Sequence, residues 1–308
     1  MAENCGSPWH VCGIVGLFLK NAELQSQLGV HLESMLIPMS DRGPDSAGIA
    51  VYGPADTDKL KLTVQSGAAE TEFPELQRAI QTRFSQAVDL KIIETHAVLQ
   101  IDKAATEAVG EMIHREFPGL RIMSRGESVE IFKEVGPPAE VARRFNIAQM
   151  SGTHGIGHTR MATESAVTTR GAHPFSTGPD QCLVHNGSLS NHNNLRRELQ
   201  RQGVDFETEN DTEVAAAYLS YHIDCGLALG EALEGALNDL DGFYTFVVST
   251  RTGFGVLRDP IACKPAVLAE TQDYVAFGSE YRALVALPGI EKARVWEPEP
   301  ATVYFWEH

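Results

Sequence analysis

The stretch Cys12-Gly13-Ile14-Val15-Gly16-Leu17-Phe18 puts a thiol at the tip of an apolar run that reads as a buried strand. Eleven residues precede Cys12. Were they removed, Cys12 would carry a thiol nucleophile and, on the same residue, a free α-amine able to take the thiol proton. That is the nucleophile–base logic of the hydrolytic triads compressed into one residue. A cysteine at the edge of an apolar strand is more often a small core residue, so the surrounding chain has to decide.

Four polar loops punctuate the apolar strands. They are Arg42-Gly43-Pro44-Asp45-Ser46, Gly157-His158-Thr159-Arg160-Met161-Ala162-Thr163, His185-Asn186-Gly187-Ser188-Leu189-Ser190-Asn191 and Glu209-Asn210-Asp211-Thr212-Glu213. Each has an ordinary structural explanation. Asn186-Gly187 is a strong turn pair. Arg160 suits a surface ion pair, and Arg42 suits an ion pair with Asp45. Asp211 sits where a helix N-cap is expected. His158 and His185 read as packing or hydrogen-bonding residues, with no acid–base role.

The elements that must hold these loops follow from periodicity. Residues 12–19 predict a strand, and Glu23 to Met39 carry apolar positions at helical spacing. Ile49 to Tyr52 predict the next strand. The texture then changes, and residues 54–150 read as an inserted α/β subdomain. It holds a strand near Thr95 to Ile101, a helix from Ala104 to Phe117, and a strand pair, Leu120 to Met123 and Val129 to Glu134, turning at Arg125-Gly126. A helix from Pro138 to Phe145 leads back. From Gly155 onward short strands dominate, at Gly155–Arg160, Gln181–His185, Gly242–Ser249, Gly253–Leu257, Ala266–Leu268, Tyr274–Gly278 and Thr302–Phe305. Helices are expected at Asn193–Gln202, Glu213–Ile223, Leu227–Leu237 and Glu280–Leu287. Strands gathered into sheets with helices between them predict an α+β sandwich.

Composition narrows the class. The 308 residues are 43% hydrophobic and 21% charged, enough for a well-buried core, and the formal net charge is −16. That acidity disfavours nucleic acid and anionic membrane surfaces as partners. The five cysteines, Cys5, Cys12, Cys182, Cys225 and Cys263, form no Cys-x-x-Cys pair. They predict reduced thiols, no metal site and a cytoplasmic protein. Residues 1–11 lack the basic and apolar regions of a secretory signal, and no apolar run approaches a membrane span.

Taken in order, the pieces CGIVG, RGPDSAG, GHTR-MAT, HPF, HNGSLSN, END before a helix, RDPIACKP at 258–265 and GSE at 278–280 resemble a class II glutamine amidotransferase domain. This is the glutaminase shared by glutamate synthase, amidophosphoribosyltransferase, glucosamine-6-phosphate synthase and asparagine synthetase. The resemblance spans Cys12 to about Tyr281. The segment 54–150 and the phrase TRMATES most resemble the stand-alone amidotransferase component of glutamate-synthase-like complexes, such as that of N-methylglutamate synthase.

The resemblance implies a set of roles. Cys12 would be the nucleophile, expelling ammonia from glutamine and leaving a γ-glutamyl thioester for water to hydrolyse. Asn186 and the N–H of Gly187 would form the oxyanion hole. Arg160 would clamp the substrate α-carboxylate with Thr163 as a secondary contact, and Asp211 would accept the α-ammonium. Arg42 would order the loop beside the nucleophile. Glu164 stands where the sugar-phosphate amidotransferases show histidine, so that role is not carried over. The implied fold is a four-layer αββα N-terminal-nucleophile hydrolase sandwich, with Cys12 ending a central strand and Arg160, Asn186, Gly187 and Asp211 converging on it. Residues 12–308 would form the amidotransferase domain. Met1–Val11, with Trp9 and His10, would be a pro-segment released by attack of the Cys12 thiol on the Val11 carbonyl. A chain ending at His308 leaves no room for a synthase domain. The resemblance therefore implies a hetero-oligomer in which a flavin-containing partner subunit, bearing FMN and an iron–sulfur cluster, receives the ammonia, with no cofactor in this chain. If Met1–Val11 stays attached, Cys12 has no free amine. The fold would then suit a catalytically silent subunit that binds glutamate or glutamine or scaffolds the complex.

Overall fold

The computed structural model describes residues 12–85, 88–162 and 166–308. Residues 1–11, with the expected pro-segment, and Thr163 and Glu164 lie outside the described residues.

In chain order the elements begin with β1 (Gly13–Leu19), α1 (Leu28–Leu36), β2 (Ser46–Tyr52), β3 (Lys59–Ser66), α2 (Ala69–Phe84), β4 (Asp89–Ile93), β5 (His96–Asp102) and α3 (Thr106–Glu116). Next come β6 (Leu120–Gly126), β7 (Val129–Val135), α4 (Pro138–Arg144), β8 (His154–Arg160), β9 (Phe175–Gly178) and β10 (Gln181–Leu189). The last part holds α5 (His192–Arg201), α6 (Asp211–Asp224), α7 (Leu229–Asp239), β11 (Gly242–Ser249), β12 (Gly253–Arg258), β13 (Val267–Glu270), β14 (Tyr274–Gly278), β15 (Arg294–Trp296) and β16 (Thr302–Glu307).

The strands form three sheets. One runs β15-β13-β14-β1-β8-β2-β7, a second β16-β12-β11-β10-β9, and a third, smaller one β4-β5-β3-β6. Neighbours in the first two sheets run antiparallel. The first two sheets pack face to face. Ile14, Phe18, Ala50 and Ile156 from one share a buried cluster with Cys182, Val184, Val247 and Phe254 from the other. Behind the seven-stranded sheet, Val15, Leu17 and Leu19 pack on α1 and on Val141 and Ala142 of α4. Behind the five-stranded sheet, Leu183, Tyr244 and Phe246 pack on α5, α6 and α7. The order helix, sheet, sheet, helix is the expected four-layer sandwich.

Because β1 is covered on both faces, all seven of its residues are buried, and it reads in sequence as an unbroken apolar run. Its even positions face the other sheet and its odd positions face α1, the period of two that any strand must keep. Gly16 falls on the inter-sheet side, where an added Cβ would stand 2.8 Å from Phe254 Cζ and 3.2 Å from Val247 Cγ1. The two sheets are that close only because nothing projects there.

Within 54–150 the structure departs from several expectations. The strand pair is not a hairpin: β6 pairs with β3 in the four-stranded sheet, while β7 pairs with β2 in the seven-stranded one. The third sheet therefore draws on residues 59–126, and α4 already packs on the main sandwich. The 16-residue α2 is an element the periodicity does not announce, because only Phe73, Leu76 and Ile80 are buried in it and Pro74 lies inside its first turns. The helix expected over Glu280–Leu287 is a single 3-10 turn, Tyr281–Ala283. Glu23–Met39 is an α-helix flanked by 3-10 turns at Ala22–Gln27 and Ile37–Met39.

Overpacking a filled core costs about 1–3 kcal/mol. Gly16→Val is expected to lower the urea midpoint by that order, and Phe254→Leu in the same chain to restore part of the loss. A Gly16→Val protein with an unchanged midpoint would contradict the close approach of the sheets.

Candidate active site

β1 lies in the middle of its sheet, between β14 and β8. Its register pairs Gly13 with Thr159, and β2 pairs Ser46 with Arg160. One further step along β1 sets Cys12 beside Arg160. Strand parity then sorts the site. Cys12 shares the inward side with Ile14, Arg160 with Ile156, and Asn186 with Cys182 and Val184. Three candidate residues thus continue the same stripes that build the inter-sheet core, and the site is the polar end of that core. This alternation is readable from sequence, and counting back along each strand would have placed them there.

The Cys12 carbonyl is held by two donors. Asn186 Nδ2 of β10 donates to it at 3.0 Å, and Arg42 Nε donates to it at 3.1 Å. Asn186 comes from the opposite sheet, so this contact crosses the sandwich. Arg42 does not pair with Asp45 as one expectation had it. Its Nη1 bonds Glu280 Oε1, and Glu280 Oε2 also forms an ion pair with Arg282, 2.7 Å from its Nε. Asp45 instead accepts the N–H of Ala162 at 2.8 Å and donates its own N–H to the Arg160 carbonyl. The GSE segment thus contributes Glu280, to which sequence reasoning gave no part. It also contributes Ser279, whose Oγ accepts the N–H of Ile14 at 2.9 Å.

The Cys12 thiol is part-buried, 4.0 Å from the Met161 carbonyl oxygen. Burial pushes its pKa up, opposed by the Met161 backbone and by the positive charges of Arg160 and Lys264. A thiol in this setting stays protonated at neutral pH unless a base takes its proton.

Gly187 has φ of +148°, and a Cβ there would lie 1.9 Å from the Phe243 carbonyl oxygen. No side chain fits. Asp211 is not the helix cap. Asn210 caps α6, accepting the N–H of Thr212 at 2.8 Å. Asp211 Oδ2 turns back to accept the N–H of Leu189 at 2.9 Å, at the end of β10. Arg160 is buried at the end of β8. The structure therefore brings Arg42, Asn186 and Arg160 to Cys12, and ties Asp211 to the strand that carries Asn186 and Gly187.

Beneath the site three buried histidines meet around Thr212. His173 Nε2 and His185 Nδ1 lie 2.8 and 3.0 Å from Thr212 Oγ1. His158 stacks on His173 at 4.0 Å, and its Nε2 contacts the His185 carbonyl at 3.0 Å. Burial lowers all three pKa values, that of His158 to about 3. They are neutral structural groups at pH 7. Among the described residues no group of three or more His, Cys, Asp or Glu could hold a metal ion. Among the same residues no helix is long and apolar enough to cross a membrane.

Comparison with known proteins gives this geometry its class. The glutamine phosphoribosylpyrophosphate amidotransferase of B. subtilis, solved with ADP and GMP, superposes with a TM-score of 0.58 at 20% identity. The match covers 96% of this chain and 47% of that one, and it concerns the fold: the sandwich is that of the N-terminal-nucleophile glutamine amidotransferases. The family described as "Glutamine amidotransferase domain" matches residues 158–286. The "Glutamine amidotransferase-like protein GlxB" of Rhizobium meliloti (strain 1021) is 64% identical over 298 residues, 97% of this chain and 99% of its own length. A Methanothermobacter thermautotrophicus protein, assigned by name to the glutamine amidotransferases, is 31% identical over 305 residues, 96% of this chain and 99% of its own. The chain belongs to the glutamine amidotransferase family, enzymes that take the amide nitrogen from glutamine.

The buried histidines set an acid limit. His154, stacked on Tyr52 and bonded to the Thr250 carbonyl, is also lowered to about 3 by burial. Unfolded histidines titrate near 6.5, so the native state forgoes protons that the unfolded chain binds below that pH. Their contribution is fully present above about 6.5 and is lost as pH falls toward 3, at about 1.4 kcal/mol per unit for each such histidine. Urea midpoints should fall steadily from pH 6.5 to pH 5. A midpoint flat across that window would contradict the neutral assignment.

Proposed function

We propose that Cys12 is the nucleophile of glutamine hydrolysis and that the active chain begins at Cys12. The observation that carries this reading is the double hold on the Cys12 carbonyl by Asn186 and Arg42. It fixes the main chain of the residue and with it the thiol, which lies 4.0 Å from the Met161 carbonyl oxygen. The raised thiol pKa supports a need for a base on the spot, and the α-amine exposed by loss of Met1–Val11 supplies one. The thiol gives its proton to the amine as sulfur attacks the side-chain amide carbon of glutamine. The amine then passes a proton to the departing nitrogen, ammonia leaves, and a γ-glutamyl thioester remains. Water hydrolyses it to glutamate and regenerates the thiol. Asn186 and the N–H of Gly187 stabilise the tetrahedral oxyanion, Arg160 binds the substrate carboxylate in its two-pronged fashion, and Asp211 takes the ammonium. Thr163 adds a contact to the carboxylate.

Processing uses the same parts. The Cys12 thiol attacks the Val11 carbonyl carbon, the peptide C–N bond breaks as the nitrogen takes the thiol proton, and water cleaves the resulting thioester.

The released ammonia passes to a glutamate-synthase-like partner subunit carrying FMN and an iron–sulfur cluster, in a cytoplasmic hetero-oligomer of the N-methylglutamate synthase type. The match to the Rhizobium glutamine amidotransferase-like protein over 99% of its length supports the amidotransferase half of this reading. The sequence phrases named above support this particular complex.

The second reading is a silent subunit that binds glutamine or glutamate without chemistry. The raised thiol pKa favours it if Met1–Val11 is retained. Ammonia release from glutamine, measured on native material with and without co-purifying partners, separates the two. Cys12→Ala is expected to abolish release. Asn186→Ala should cut kcat about 100-fold or more, as loss of one oxyanion donor does, and Arg160→Lys should raise KM more than it lowers kcat. Undiminished release by Cys12→Ala would end the nucleophile assignment.

A further inference from the structure

A second cleft lies away from Cys12, between β6 at the edge of the four-stranded sheet and β9 at the edge of the five-stranded one. Its volume is about 420 Å³, within the range of small-molecule sites. Arg121 and Arg125 line one wall, and Lys133 and Arg170 line the other side. In a chain of net charge −16, four cations around one cleft need an explanation.

Their counter-charges supply only part of it. Among the described residues neither Arg121 nor Arg125 makes an ion pair or a side-chain hydrogen bond. Lys133 is buried, and its ammonium donates to the carbonyls of Ala172 at 2.8 Å and Pro174 at 3.0 Å, which uses two of its three hydrogens. Arg170 has a buried Nε without a partner, and its Nη2 is 3.6 Å from Glu207 Oε2. Three carboxylates, Asp205, Glu207 and Glu213, line the cleft with the four cations. Glu213 accepts the N–H groups of Glu207 at 2.6 Å and Thr208 at 2.7 Å and the Thr208 hydroxyl. Glu207 faces Arg170. What is left over is a formal excess of one positive charge and the buried Arg170 Nε–H, with the Lys133 ammonium 4.6 Å over the Phe175 ring and Ile122 beside it.

We propose that this cleft is a binding site for a small organic anion, its phosphate or carboxylate group held by Arg121, Arg125, Arg170 and Lys133. An anion would restore what burial takes from Lys133, whose pKa is lowered to about 8 by desolvation and by Arg170, against the pull of Glu207 and Glu213. The site also touches the substrate machinery from behind. Lys133 holds the carbonyls on either side of His173, the residue that packs on His158 and reaches Thr212.

Isothermal titration of the full chain at low salt tests the proposal, with inorganic phosphate and citrate as separate probes. Saturable one-to-one binding of either probe is expected, and which one binds names the headgroup. Arg121→Glu/Arg125→Glu should weaken it at least tenfold with an unchanged melting temperature, and the exposed Arg78→Glu should not. Binding must persist in Cys12→Ala, so its outcome is separate from that of the glutaminase assignment. No saturable binding of either probe, or binding equal in the double variant and the parent, overturns the proposal.

Discussion

One short polar contact organises the site: the Cys12 carbonyl, shared by Asn186 Nδ2 from the opposite sheet and by the Arg42 guanidinium. A net hydrogen bond is worth only about 1 kcal/mol, but a buried group left without one loses about 1–3 kcal/mol. The contact is therefore more important as a constraint than as a source of stability. With it made, the main chain at Cys12 cannot slide along β1 or tip away from β10. Glu280 and Arg282 extend the constraint by fixing Arg42 from the side of β14. The apolar faces set the spacing between sheets, and Gly16 lets that spacing close.

The same architecture separates two kinds of buried polar group. Those at the end of the inter-sheet layer, Arg160 and Asn186 among them, are charged or amide groups. Those beneath it, His158, His173 and His185, are neutralised by burial and tied to Thr212 and the backbone. A histidine cluster close to a cysteine thiol invites an acid–base reading. Burial, the largest influence on each of these pKa values, argues against it.

Much of this was legible in the sequence, for physical reasons. β1 shows itself because a strand covered on both faces must be apolar throughout. The four polar loops show themselves because turn and cap residues interrupt such runs. Other features depend on tertiary partners. Whether Leu120–Gly126 and Val129–Val135 pair with each other or part to different sheets is decided by β3 and β2, and both segments look alike locally. Glu280 acquires meaning only when β14 sets it against Arg42. Asn210, and not Asp211, caps α6 because Asp211 finds a better acceptor role at Leu189, a contact 22 residues away. Helix α2 hid behind Pro74 and a sparse apolar face.

The central claim is that the Cys12 thiol, activated by its own freed amine, attacks the glutamine side chain. Mature protein treated with an electrophilic glutamine analogue and then mapped by peptide mass spectrometry tests it most directly. The account requires one covalent adduct, on an N-terminal Cys12 peptide beginning at that residue, with glutamine protecting against it. An adduct absent from Cys12, or present at full rate on chains that still carry Met1–Val11, would contradict it.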